Sequence, residues 1–170
     1  SDFLPKLTII GNGIDLESVS STDLVANLMD IVAPIYGGIN DVNLRAGDAS
    51  FNYLTKAVTS DNSNPDHNLP EKIAIDASNL GKIQAGRIFI IATKEGFGIK
   101  YSGDLIAQRA GINIDSHGNI DYNNIISEAS DISVTSHKGS ITQNGIAYTK
   151  DLTSNIILND FDNITNYVQF

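Results

Sequence analysis

The sequence predicts an all-β fold, a right-handed parallel β-helix with rungs of about 20–21 residues and an extra-helical loop or hairpin. Three observations predict it. Ile112 and Ile132 stand 20 residues apart, Ile99, Ile120 and Ile141 follow at intervals of 21, and Ile106, Ile126 and Ile146 at intervals of 20. Between these positions lie short apolar stretches punctuated by Gly, Asn and Ser, without the 3-and-4 spacing of an amphipathic helix. Only 18% of the residues are charged against 41% hydrophobic, with 14 glycines and no cysteine. That balance suits turns and β-surfaces, and it excludes a disulfide framework or a thiolate metal site.

Strand-like segments begin with Leu7 to Ile10, followed by the Gly11 to Gly13 turn, "GNG". As a phosphate loop this turn is weak: it lacks the remaining glycines and a following Lys-Ser/Thr, and a β-turn is the better reading. "SSTDLVANLMDIV" starts like a capped helix at Ser21 or Thr22, but Val19, Leu24 and Leu28 make no helical face, so it reads mostly as strand, with Leu28 to Val32 as the clearest part. Val42 to Leu44 is the next strand. Gly47 to Lys72 contains "SDNSNPDHNLP", polar with two prolines, and is expected to lie outside the solenoid body as a loop or hairpin (residues 47–72). Ile73 to Asp76 resumes the strands.

From Gly86 the rows become regular. The first holds Gly86 to Ile91, Gly96 to Ile99 and Asp104 to Ala107. The second holds Gly111 to Ile114, Gly118 to Ile120 and Ile125-Ile126. The third holds Asp131 to Val134, Gly139 to Ile141 and Ile146 to Tyr148. A fourth starts at Asn155 to Leu158 and continues through Ile164 to Val168. One row cannot bury its apolar face alone. Rows stacked about 4.8 Å apart through parallel strands bury one continuous core. Ile112 is then expected against Ile132, and Ile120 against Ile141. Glycine is expected at corners that need a positive φ or a close backbone approach. Parallel crossovers in one sheet are right-handed. A β-sandwich is the alternative, and the regular spacing over three rows disfavours it. No domain boundary is visible, so residues 1–170 read as one β-helix domain.

Function classes narrow accordingly. The net charge of −9, with three arginines (Arg45, Arg87, Arg109), offers no basic patch for phosphates, so nucleic acid is not an expected partner. No segment approaches the roughly 20 apolar residues of a membrane helix. Ser1 opens no signal peptide, so export would require a signal already removed or lying upstream. Of the histidines His67, His117 and His137, the last two are 20 residues apart and would stack in adjacent rungs, near enough to share a metal. With no third ligand in the same register they read as a surface ladder, and no metal, cofactor or catalytic residue is assigned. Asp76, Glu95, Asp104, Asp115 and Asp121 scatter over turns. Asp115 is followed one rung later by Thr135 and Asp121 by Thr142, so no acidic ladder of the kind polysaccharide-active β-helices use is expected. Asn163-Ile164-Thr165 matches a glycosylation sequon, to which no role is assigned.

The stretch "IAIDASNLGKIQAGRIFIIATKEGFGIKYSG" resembles the haemagglutination-activity secretion domain of two-partner secretion exoproteins, the family of filamentous haemagglutinins and CdiA effectors of contact-dependent growth inhibition. The resemblance rests on Ile75-Asp76, Leu80-Gly81, Ala85-Gly86-Arg87, Ile88 to Thr93, Glu95-Gly96 and Gly98-Ile99. "LTIIGNGIDLESV" and "GINDVNLRAGDASFNY" extend it, so it covers residues 7 to 122 and leaves the rest as generic rungs. The family's Asn-Pro-Asn motif is absent. The single Asn-Pro, Asn64-Pro65, lies in the loop and precedes Asp66, so the chain is expected to be the later part of a secretion domain.

The resemblance implies a secretion domain of a large adhesin or growth-inhibition effector, not an enzyme. It also implies recognition by the periplasmic POTRA domains of an outer-membrane TpsB-type transporter, a transient passage through the periplasm and a final place outside the cell or on its surface. A host or neighbouring-cell receptor is a further expected partner. The alternatives are the shaft or receptor-binding segment of an adhesin and, less favoured, a polysaccharide-active β-helix enzyme.

Overall fold

The computed structural model describes residues 5–47, 49–52, 54–60 and 72–166. Among these every regular element is a strand. Each rung uses three strands in the same order. The first is β1 (Lys6–Ile9), β2 (Ile14–Asp15) and β3 (Ser21–Ala26), and the second is β4 (Leu28–Ile31), β5 (Ile35–Tyr36) and β6 (Asp41–Ala46). Next comes a hairpin, β7 (Ala49–Phe51) paired antiparallel with β8 (Val58–Ser60), which joins none of the solenoid sheets. The third rung is β9 (Ile73–Ala77), β10 (Ile83–Ala85) and β11 (Arg87–Ala92), and the fourth is β12 (Gly98–Tyr101), β13 (Leu105–Ala107) and β14 (Ile112–Ser116). The fifth is β15 (Ile120–Tyr122), β16 (Ile125–Ser127) and β17 (Ile132–Ser136). The sixth is β18 (Ile141–Gln143), β19 (Ala147–Thr149) and β20 (Ile156–Asn159), and β21 (Ile164–Asn166) opens a seventh.

The strands assemble into three parallel sheets: a first sheet in the order β1-β4-β9-β12-β15-β18-β21, a second built from β2, β5, β10, β13, β16 and β19, and a third from β3, β6, β11, β14, β17 and β20. This is the parallel β-helix the period predicts. Ile99 pairs with Ile120, Ile120 with Ile141, and Ile112 with Ile132, as the spacing requires.

Alternation explains the core. In β14 and β17 the pattern is buried, half-exposed, buried, half-exposed, buried. Inward positions stack into aliphatic ladders: Met29, Ile75, Ile99, Ile120 and Ile141 on the first sheet; Ile35, Ile83, Leu105 and Ile125 on the second; Leu44, Ile90, Ile114 and Val134 on the third, all nearly or fully buried. Each such side chain contributes roughly 1.5–3 kcal/mol of burial. Two inward serines are satisfied locally. The Ser116 and Ser136 hydroxyls donate to the Phe97 and Gly118 carbonyls at 3.1 and 2.8 Å.

Two details depart from the sequence reading. The second-sheet strands β2, β5 and β10 were not foreseen, because each is only two or three residues long and flanked by Gly, Pro or turn residues. Ile146 does not stack on Ile126: Ile126 pairs with Tyr148, and Ala147 takes the inward place beside Ile125. Between β15 and β16 lie two residues, Asn123 and Asn124. Between β18 and β19 lie three, Asn144, Gly145 and Ile146. One extra residue flips the side-chain alternation, and Ile146 is left exposed. Ile106 and Ile126 do pair, but the fully buried partners of that strand pair are Leu105 and Ile125.

Candidate functional site

The densest cluster of chemistry-bearing side chains among the described residues lies where the third sheet turns a corner. Asp115 and His117 are two residues apart, so both point away from the core. Parallel pairing sets Asp115 beside Thr135 and Ser116 beside Ser136, which brings His137 next to His117 one rung on. Backbone bonds hold both histidines: His117 N donates to Ala92 O at 3.1 Å and His137 N to Ser116 O at 2.8 Å.

The two imidazole rings lie 4.8 Å apart, tilted by 35°. His137 Nε2 is 2.9 and 3.0 Å from the two Asp115 carboxylate oxygens. One nitrogen or oxygen from each of Asp115, His117 and His137 lies within 4.8 Å of the others. The expected histidine ladder is present. No third ligand shares their register; Asp115 reaches His137 diagonally across the rungs. His67 lies outside the described residues.

Among the carboxylates, Asp115 pairs with Thr135 and Asp121 with Thr142, as the spacing requires. On the outer face of the first sheet Asp30 pairs with Asp76, Asp76 with Lys100, and Lys100 with Asp121. Two acids thus stack in adjacent rungs, and a lysine separates them from the next. Most of these and the other named acids bind neighbours: Asp30 meets Lys6 at 3.1 Å, Glu95 meets Lys138 at 3.3 Å, Asp104 accepts from Asn124 at 2.9 Å, and Asp121 accepts from Asn144 at 2.6 Å. Burial raises the Asp121 pKa above its ordinary value, against the opposing pull of Lys100 and Asn144.

All three arginines brace rungs. Arg87 meets Asp41 at 3.1 Å, and Arg109 binds the same carboxylate and also donates to Ile39 O at 2.9 Å. Arg45 meets Asp23 at 3.3 Å and lies over the Phe89 ring at 5.5 Å. Gly11 and Gly13 sit in a β-turn closed by Gly13 N donating to Ile10 O at 3.2 Å, both at positive φ. This is the turn expected in place of a phosphate loop.

The architecture matches a solved structure titled filamentous hemagglutinin secretion domain, with a TM-score of 0.55 over 86% of this chain and 47% of that one, at 17% identity. The fold is therefore that of a haemagglutinin-type β-helix. In sequence the chain is 30% identical over 114 residues to tRNA nuclease CdiA-2 of Burkholderia pseudomallei, a match covering 67% of this chain. It is 28% identical over 148 residues to Toxin CdiA of Yersinia pestis, covering 87% of this chain, and 28% identical over 147 residues to tRNA nuclease CdiA of Yersinia mollaretii. The chain spans only 4–5% of the length of these relatives. No protein-family model matches it. The chain is a CdiA-like region of the two-partner secretion exoprotein class.

Proposed function

We propose that this chain serves export: a secretion-domain region of a large adhesin or contact-dependent growth-inhibition protein, read by the periplasmic domains of an outer-membrane transporter. The observation that carries the reading is the pairing of a CdiA-like sequence with a haemagglutinin secretion-domain fold. The nuclease and toxin names belong to relatives of which this chain matches a few per cent, so they do not describe its own task. We assign it no catalysis.

The architecture suits passage as an unfolded chain followed by folding outside. Each rung contacts its neighbours, and each added rung buries its aliphatic positions against the last. Ile99, Ile120 and Ile141 come from successive rungs and are each covered by the next. Folding of this kind can start at one end and draw the chain outward as it proceeds.

The test is binding of the purified chain to the immobilised periplasmic domains of the transporter that exports its parent protein. Saturable binding supports the reading. A chain that fails to bind, under conditions in which a haemagglutinin secretion domain binds its own transporter, overturns it. Binding to target cells without transporter binding would favour the adhesin-shaft alternative.

A further inference from the structure

We propose that Asp115, His117 and His137 form a binding site for a divalent transition ion of the imidazole-preferring kind, with Zn2+ as the type case. Two nitrogen donors and one carboxylate are the ligand set that borderline metals take, whereas Mg2+ and Ca2+ call for oxygen donors throughout.

The geometry is near that of a bound ion. Ligands about 2.0–2.1 Å from a tetrahedral zinc stand roughly 3.3 Å from one another. His137 Nε2 and the Asp115 oxygens are already at 2.9–3.0 Å, and all three ligand atoms fall within 4.8 Å. The remaining adjustment is rotation of side chains that are not packed in the core: His137 is 45% exposed and Asp115 31%.

The scaffold beneath does not need to move. Asp115 and Ser116 are paired in register to the rungs on both sides, with Ile91-Ala92 before and Thr135-Ser136 after. The serines that alternate with the ligands are buried and bonded to turn carbonyls. One ligand near the end of β14, a second just beyond it and a third just beyond β17 are thus held by a backbone set in advance, which lowers the ordering cost of binding. Solvent keeps access to the remaining coordination position. A chain of net charge −9 also favours a cation over an anion at this corner.

The inference does not rest on the export function. It is tested by calorimetric titration of the chain with ZnCl2, alongside thermal melts at roughly hundredfold excess of Zn2+. One equivalent should bind, with a rise in Tm, while MgCl2 and CaCl2 give neither. His117→Ala and His137→Ala should each weaken binding at least tenfold, and Asp115→Asn several-fold. His67→Ala should leave it unchanged. Because the three side chains are outside the core, the variants should keep the parent's circular dichroism spectrum. In histidine nuclear magnetic resonance spectra the His117 and His137 ring signals should shift together on the first equivalent. Absence of zinc binding overturns the proposal, as does undiminished binding by a folded variant lacking both His117 and His137.

Discussion

The Tyr122 hydroxyl donates a 2.6 Å hydrogen bond to Gln143 Oε1, one rung further along the same inward ladder. Gln143 in turn donates from Nε2 to Gly145 O at 3.1 Å. One rung earlier the fully buried Tyr101 donates to Gly81 O at 2.7 Å. A run of inward aliphatic and small residues, Ile31 and Ala77, thus passes into hydroxyls and an amide whose polar atoms are matched pair by pair. Unmatched, each would cost about 1–3 kcal/mol.

These tyrosines predict an alkaline limit to stability. Burial pushes Tyr122 up to about 12 and Tyr101 well above its ordinary value. The folded state therefore holds both protons where the unfolded chain, near 10, releases them. Stability from this source is complete below pH 10 and falls as pH rises toward 12, by about 1.4 kcal/mol per pH unit for each group. Tyr101 continues the loss beyond that. The measurement is a comparison of each variant with the parent. Urea midpoints of Tyr122→Phe and Tyr101→Phe should fall less steeply than the parent's between pH 10 and 12, and parallel slopes would refute the assignment.

Ile120 is the centre of a second prediction. It is 1% exposed and lies between Ile99 and Ile141. Ile120→Asp places a carboxylate among aliphatic side chains, and the loss should be several kcal/mol. Ile120→Val should cost about 0.5–1.5 kcal/mol. A melting temperature for Ile120→Asp within a degree or two of the parent would show that the register is wrong.

Two corner glycines should respond differently to the same substitutions. A Cβ on Gly86 would stand 1.9 Å from Ile39 O, a backbone atom that cannot turn aside. Gly96 has φ of +80° and space around it, with only Lys72 Cδ at 3.9 Å. Alanine should harm both, by about 1–3 kcal/mol. Asparagine, which tolerates left-handed backbone, should recover much of the loss at position 96 and none at position 86. Equal recovery at both, read from thermal melts, would contradict the close-approach argument.

The rungs from Gly86 onward were legible because parallel in-register pairing forces identical spacing on every inward residue. Ile99, Ile120 and Ile141 announce it. The same rule hides what breaks it. Ile146 looked equivalent to Ile126 until the third corner residue displaced it. Ile35 and Tyr36 form a strand too short for any pattern, between Pro34 and Gly37. The histidine stack is readable from a 20-residue interval, but Asp115 is off that register. Counting by register finds neighbours along a ladder and misses the diagonal, although a search two residues before each histidine would have found this carboxylate. Asp23 and Lys56, 33 residues apart and off the period, left no sequence signal at all.

That last pair governs the hairpin. The Asp23 side chain, 9% exposed, accepts from Lys56 Nζ at 2.6 Å and meets Arg45 Nε at 3.3 Å. Burial alone would raise its pKa. The hydrogen bonds and charges of Lys56 and Arg45 outweigh burial and hold it below 3.8. The contact is therefore intact above the unfolded carboxylate's value and is lost as pH falls through the lower folded one. Lys56 is half-exposed and stands in left-handed backbone at φ 58° between β7 and β8, so its bond ties the hairpin to the third sheet. Lys56→Met should speed amide hydrogen exchange in Ala49–Phe51 and Val58–Ser60 while leaving the melting temperature nearly unchanged, because Lys56 is itself half-exposed and Arg45 still pairs Asp23. Asp23→Ala should speed the same amides and also lower stability by about 1–3 kcal/mol, since it removes the acceptor of two charged donors. Acidification to below the ordinary carboxylate range should reproduce the hairpin effect in the parent and not in Asp23→Ala. Unaltered exchange of these amides in both variants would mean that the hairpin is held by other contacts.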